Sequence, residues 1–296
     1  MHWASTNRRT TMADGPPHNL RSLQDRLRNH TRETQLPFGR VQRLLGVLVV
    51  GEMLRGQDLD LGVVKGGSNL EARLGIAATR ASSDLDIVRV QSIERLRDSM
   101  AEALEAGWHG FSGRIVDRGP IGAPVPDAYQ PHRLEVKLEY RGQRGAGTIT
   151  LEVAVEEIDA LEHVDAVTSE DGQAIFDAVG LPLPGPLPAL AQHQQIAQKL
   201  HACTAPDEGG WVNDRAHDLV DLQLAHRSYD GTLAEIRATC ERLFAARRRH
   251  PWPPKVTVRD GWSQRYAEES AGLDVCADVE DAVAWANDLV ARIARA

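Results

Sequence analysis

The chain has 296 residues, 42% of them apolar and 26% charged, with a formal net charge of −8. That is enough chain for two domains with cores of their own, and an acidic balance that argues against indiscriminate nucleic-acid binding, although local patches decide phosphate contact. The three cysteines, Cys203, Cys240 and Cys276, lie far apart without C-x-x-C or zinc-finger spacing, and no apolar run reaches the roughly 20 residues of a membrane span. A disulfide scaffold, a zinc module and a membrane protein are therefore disfavoured, and a cytoplasmic location is expected.

Residues 1–18 are polar, contain Pro16-Pro17 and read as a flexible N-terminal arm. Asn19 to His30 suits a short charged helix. From Gly39 to about Leu54, Val41, Leu44, Leu45 and Leu48 recur at helical spacing and predict a buried helix. Leu61 to Lys65 reads as a short strand closed by Gly66-Gly67. A helix follows to about Leu74, with Ser68 as a candidate N-cap. Leu85 to Val90 is a second strand, and Ser92 to Ala106 a helix stopped by Gly107. Arg114 to Asp117 reads as a short strand before a Pro/Gly loop.

His132 to Tyr140 and Gly147 to Glu156 alternate apolar and polar residues and predict an antiparallel hairpin across Arg141 to Gly145. Residues 181–188, Leu-Pro-Leu-Pro-Gly-Pro-Leu-Pro, read as a proline linker unsuited to helix or central strand. Beyond them helices are expected over Ala189–Cys203, Asn213–Arg227, Thr232–Arg249, Trp262–Glu269 and Val279–Arg295. The fold class is α+β: a mixed-sheet domain over 19–180 and an all-helical domain over 189–296.

Candidate chemistry begins at Asp84 and Asp86. Side chains two apart on a strand share a face, about 7 Å apart, so the pair can bind Mg²⁺ or can be a turn cap and a surface charge. Glu152 lies on the polar face of a neighbouring strand and would supply a third carboxylate. Gly66, Gly67 and Ser68 can present backbone amides and a helix N-terminus to phosphates. Arg73 and Arg80 can pair with phosphate or remain surface charges. Past the linker, Lys199 stands in a cation-poor helix. By periodicity alone, Arg215, Asp218 and Asp221 read best as a solvated helix face. A first basic patch runs through Arg21, Arg26, Arg28, Arg32, Arg40 and Arg43. A second, Arg247-Arg248-Arg249 near Trp252, is a candidate RNA contact or a complement to a helix C-terminus. Ser82 and Ser83 adjoin the acids, where phosphorylation would repel a triphosphate.

Taken together these segments resemble the AbiEii family of nucleotidyltransferase toxins of type IV toxin–antitoxin and phage-abortive systems. Val64-Lys65-Gly66-Gly67-Ser68-Asn69-Leu70 and Arg80-Ala81-Ser82-Ser83-Asp84-Leu85-Asp86 are similar to the family's opening K-G-G-S/T-x-L and R-x-S-x-D-x-D. Ile149 to Ala154 is similar to its later acid-bearing strand. Ile196 to Leu200 and Arg215 to Leu222 resemble its E-K-L/A and R-x-K-D-L-x-D-L segments.

The resemblance implies a polymerase-β-like nucleotidyltransferase core and a helical C-terminal domain, with NTP and one or two Mg²⁺ in the cleft between. It implies Asp84, Asp86 and Glu152 as metal ligands, Lys199 as a triphosphate contact and Asp218 as its partner. It also implies transfer to RNA, tRNA acceptor ends foremost, with block of translation and a cognate antitoxin. The chain departs from the family with Glu152 in place of Asp, and His217 in place of Lys, a cation only at low pH. No motif is matched beyond Arg227. An antibiotic-type small-molecule nucleotidyltransferase and a non-catalytic RNA- or partner-binding module are the alternatives.

Overall fold

Alternating aliphatics build the centre of the molecule. Strand β4 (His132–Tyr140) buries Leu134, Val136, Leu138 and Tyr140, and β5 (Gln143–Val155) buries Ile149, Leu151 and Val153 on the same face. The two pair antiparallel across Arg141-Gly142, both at positive φ, so the turn is tighter and β5 starts earlier than the expected Arg141–Gly145 connection. The computed structural model describes residues 15–57, 62–89, 92–122, 130–155, 163–207 and 212–296.

Around this hairpin runs a sheet of order β3-β4-β5-β2-β1-β7-β6. β3 (Phe111–Pro120) is longer than the expected Arg114–Asp117. β2 (Asp84–Arg89) lies parallel to β5, and β1 (Val63–Lys65) antiparallel to β2. β6 (Val164–Val167) and β7 (Leu187–Leu190) complete it, β7 running parallel to β1 through Val64↔Ala189. Helices α1 (Leu20–Thr34), α2 (Phe38–Gln57), α4 (Ile93–Ala106) and α5 (Glu170–Val179) share one core with the sheet's apolar side. The short helix α3 (Gly66–Leu74) joins β1 toward β2.

A second core unites α6 (Gln192–Thr204), α7 (Ala216–Arg227), α8 (Leu233–Arg247), α9 (Trp262–Ser270) and α10 (Val279–Arg295). Leu70 of α3 belongs to this core, so α3 is packed into both. The chain is thus α+β, with the mixed sheet and helical region expected from its pattern.

Three local expectations are corrected. The proline segment is not only a linker: Leu187-Pro188 enter β7, which lies inside the sheet between β1 and β6. The register with β1 rests on Ala189, one residue past the proline, which lets a residue without an N–H sit in an interior strand. Ser68 does not cap α3; Lys65 holds the N-cap position and Ser68 is buried within the first turn. Finally, the expected flexible arm falls mostly outside the described residues, but its end is tied down: Pro17 O accepts from Tyr140 Oη and Arg141 Nε, and Gly15 O from Arg26. Val90 and Glu156, the expected ends of two strands, also lie outside the described residues. No helix among the described residues is long and apolar enough to cross a membrane.

Candidate active site

Gly66 stands where β1 becomes α3 without an intervening loop, at φ +66°. The first amides of α3 therefore lack intrahelical partners and lie at the helix's positive end, with Gly67 and Ser68 buried. Lys65 is in register with Asp86 across the β1–β2 pair, and a Cβ on Gly66 would lie 2.1 Å from Asp86 Oδ2. At Gly67 it would lie 2.9 Å from the Ser82 side chain. Gly66 is thus needed for the backbone to approach the acid-bearing strand, and Gly67 lies close against the serine just before that strand.

Buried charge fixes that approach. Glu71 on α3, with its side chain only 2% exposed, binds Arg40 and Arg43 of α2 at 2.6 and 3.0 Å. Arg43 also donates to Ser68 Oγ (2.7 Å) and to the carbonyl of Asp84 (2.8 Å), which accepts from Ser68 and Ser82 as well. Ser83 Oγ donates to Asp84 Oδ2 at 2.6 Å. Of the first basic patch expected from sequence, Arg40 and Arg43 are spent on holding the start of β2 against α3, whereas Arg21 and Arg28 on α1 stay exposed.

Register brings Asp86 level with Glu152 and Asp84 level with Thr150 across the parallel β2–β5 pair. Burial raises the Asp86 pKa, Lys65 opposes that shift, and the Glu152 and Asp84 carboxylates add to it. Crowded hard-oxygen donors of this kind suit a divalent cation such as Mg²⁺, which would relieve the repulsion. Among the described residues no three His, Cys, Asp or Glu side chains converge as a ready metal cluster, and the Glu152 carboxylate is drawn to Arg133 of β4. Asp84, Asp86 and Glu152 fit a metal by donor type and strand register, with Glu152 having to exchange its arginine for it.

The opposite wall comes from the helical region. Lys199 Nζ on α6 donates to Asp218 Oδ1 (2.9 Å) and Asp221 Oδ2 (2.7 Å) of α7. Arg80, just before β2, forks onto both oxygens of Asp221 at 2.8 Å and approaches Glu269 at 3.8 Å. Asp218 and Asp221 are buried, so the solvated-face reading is corrected: α7 is enclosed by α6, α9 and α10, and its acids point at cations brought from elsewhere. Burial works against the charge on Lys199, but Asp218 and Asp221 outweigh it and hold its pKa up at about 12. Burial likewise disfavours the carboxylates, yet Lys199 pulls both below the usual range, Arg80 assisting at Asp221.

Two further groups complete the neighbourhood. His217 is held below its ordinary pKa by burial and stays neutral, so the cation expected only at low pH is suppressed further. Asn69 Nδ2 donates to Leu190 O and Gln195 Oε1, and Gln195 Nε2 to Gly66 O, lacing α6 directly to the glycine turn. Arg73, a phosphate candidate in the sequence, instead pairs with Asp165 at 2.6 Å.

Arg247, Arg248 and Arg249 form a separate group at the end of α8. Arg247 donates to His201 Nδ1 at 3.1 Å, and the His201 and His250 rings meet at a tilt beside Phe244. Burial, then Arg247, push the His201 pKa down to about 2.

These charges set a pH response. The depressed aspartates stabilise the fold above the ordinary aspartate range and lose that contribution as pH falls below about 4. Neutral His201 and His217 begin the loss nearer pH 6.5, where the unfolded chain takes up protons first. Lys199 acts oppositely: its contribution is complete below about pH 10.4 and is lost as pH rises toward 12. Burial pushes the Cys203 and Cys240 thiols up, so the alkaline loss begins at about pH 8.5, where the unfolded chain gives up protons first, and Lys199 adds to it at higher pH. Urea midpoints measured from pH 3 to 12 should form a plateau between the acid and alkaline losses; a flat acid limb would contradict the pairing.

The model of the nucleotidyl transferase AbiEii toxin of type IV toxin–antitoxin systems matches residues 51–286. The chain belongs to the AbiEii family. It is a nucleotidyltransferase of a toxin family, and every segment that carried the resemblance lies inside the match. A search of curated proteins gives no match. Among solved structures, it is similar to MenT4, a nucleotidyltransferase toxin from Mycobacterium tuberculosis H37Rv: 19% identity, TM-score 0.48, covering 90% of this chain and 98% of that one. JHP933 from Helicobacter pylori has 17% identity and TM-score 0.46, over 88% and 94% of the two chains. A putative nucleotidyltransferase from H. pylori has 18% identity and TM-score 0.41, over 86% and 93%.

Lys65, Arg43, Glu71 and Asp221 join the AbiEii site without having been singled out as site residues in the sequence. For Glu71 the available signal is a lone acid in a short apolar helix, matched by Arg40 and Arg43 spaced three apart.

Proposed function

We propose that this AbiEii toxin moves a nucleotide from an NTP to an RNA acceptor, the tRNA 3′ end, blocking translation until a cognate antitoxin neutralises it. The observation that carries the reading is the side-by-side register of Lys65, Asp86 and Glu152, with helix α3 opening at Gly66, Gly67 and Ser68 immediately after Lys65. Asp84, Asp86 and Glu152 would hold Mg²⁺, which when bound supplies charge neutralisation for the triphosphate and activation of the attacking hydroxyl. The start of α3 binds phosphate oxygens, and Lys199, cationic at any physiological pH, offsets charge growing on the leaving group. The acceptor 3′-oxygen bonds to the α-phosphorus as its bond to the β-phosphate bridging oxygen breaks. Pyrophosphate departs, and the hydroxyl proton passes to a carboxylate of the acidic set.

Arg80 has a different place in this reading from the phosphate contact expected of it, since both its faces are taken by Asp221 and Glu269. It positions Lys199 through the shared Asp221.

The test is incubation with each labelled NTP and total RNA, with Mg²⁺ or a chelator. Label should enter RNA only with metal, and Asp86→Ala should lower incorporation by at least about a thousandfold. Full incorporation by a folded Asp86→Ala protein would end the catalytic reading, and label on an aminoglycoside rather than RNA would favour the small-molecule reading. Asp86→Asn supplies a second readout: without metal it should melt higher than wild type, because a crowded carboxylate is removed, and Mg²⁺ should raise the wild-type Tm alone. An equal Mg²⁺ shift in both proteins would remove Asp86 from the metal site.

A further inference from the structure

The strand order continues past the acids. Lys65 on β1, Asp86 on β2, Glu152 on β5 and Arg133 on β4 stand in one row across four adjacent strands. Strands lie about 4.8 Å apart, so Arg133 is about 10 Å from Asp86, on the side away from the glycine turn and from Lys199.

Two features distinguish Arg133 from an ordinary surface arginine. Its Nη2 binds Glu152, but its Nε is buried without a hydrogen-bond partner, so part of the guanidinium is desolvated and unsatisfied. Its partner is the one carboxylate of the acidic set that must turn to complete a metal site. Beyond it, the same half-exposed face of β4 and β3 carries Lys137, Arg118 and Arg114 against Glu135 and Glu139. Cations outnumber anions there, on a chain whose net charge is −8.

Resting on the reading that the acceptor is RNA, we propose that Arg133 is its phosphate-binding residue. The RNA backbone crosses the β4–β3 face and enters the site from the side opposite the NTP. In the resting enzyme Arg133 holds Glu152; when Glu152 turns toward the acids, the released fork takes a backbone phosphate. The NTP phosphates, seated at the start of α3 beyond β2, are on the wrong side of the row for it. The Arg247 to Arg249 cluster is then not the primary RNA contact.

Binding of labelled tRNA, followed by anisotropy, tests this in four proteins: wild type, Arg133→Ala, Glu152→Gln and the double variant. Arg133 pairs at the surface, so each variant should fold, with thermal melts as the control. Arg133→Ala should weaken binding about tenfold and lower the log–log salt slope by about one. Glu152→Gln, with the arginine already free, should bind at least as tightly as wild type, and removing Arg133 from it should again cost about tenfold. Arg133→Lys should recover part of the loss.

Equal tRNA affinity of Glu152→Gln and the double variant would overturn the proposal, as would absence of tRNA binding by wild type. A raised KM for NTP in Arg133→Ala with unchanged tRNA affinity would overturn it too, placing the residue on the nucleotide side. Labelled-NTP incorporation into RNA by wild type, measured in parallel, reports on the RNA-acceptor reading separately from any of these outcomes.

Discussion

Gly66→Ala should reduce nucleotide transfer by at least about a hundredfold, the scale of a misplacement near 1 Å at a reacting centre. The added methyl would lie 2.1 Å from Asp86 Oδ2, and the residue sits at φ +66°. A positive φ costs an L-residue about 1–2 kcal/mol, and the overlap must be relieved by moving either the carboxylate or the turn. Both belong to the site, so the relief is paid in geometry. Gly67→Ala is the internal comparison: its methyl meets the Ser82 side chain at 2.9 Å, at a residue without positive φ, and a serine can give way. Steady-state kinetics should show kcat falling sharply for Gly66→Ala and far less for Gly67→Ala. Comparable losses would show that the turn, and not the Asp86 contact, is what alanine disturbs.

Asp221→Ala should be the most destabilising single change around the cleft, costing about 3–5 kcal/mol as a buried pair is broken. One carboxylate, its side chain 2% exposed, satisfies two cations, Lys199 and Arg80, whose own side chains are 7% and 16% exposed. Removing it weakens both. Lys199 keeps Asp218, whereas Arg80 keeps the longer contacts to Glu269 and the Ala81 carbonyl. Denaturant unfolding of Asp221→Ala, Arg80→Met and the double variant forms a cycle in which the double should be less destabilised than the sum of the singles. Additive losses would mean that the fork between Arg80 and Asp221 contributes little. Because Asp221 touches Lys199 and not the acids, the variant should also lose transfer activity beyond its loss of folded protein, and Asp221→Glu should recover part of it.

Legibility in the sequence followed chemistry and range. The hairpin was readable because Leu134 to Tyr140 and Ile149 to Val153 each bury one face, and two-residue alternation shows that directly. Asp84 and Asp86 were readable as a shared face for the same reason. The family resemblance, carried by the order of four short motifs, supplied the pairing of Lys199 with Asp218, which the structure shows at 2.9 Å.

What stayed hidden depends on contacts between distant segments. Asp221 looked solvent-facing because α7 is amphipathic only if its polar residues face water; here they face Lys199 and Arg80, 22 and 141 residues away along the chain. Arg40 and Arg43 looked like a basic surface for the same reason, with Glu71 as the unseen partner. β6 and β7 stayed hidden because strands four residues long carry almost no periodicity, and because prolines argue against a strand that here pairs with β6 along its length and with β1 through Ala189.

The passage from β7 into α6 has a mechanical meaning. Strand β7 ends at Leu190, Ala191 is the N-cap of α6, and Lys199 follows on that helix, with Asn69 and Gln195 stitching its start to the glycine turn. The two sides of the site are therefore joined by a single short crossing from sheet to helix, with side-chain hydrogen bonds tying the start of that helix back to the glycine turn. On the proposal that Arg133 releases Glu152, the rearrangement the site needs is confined to a carboxylate and an arginine trading partners along a single row of strands.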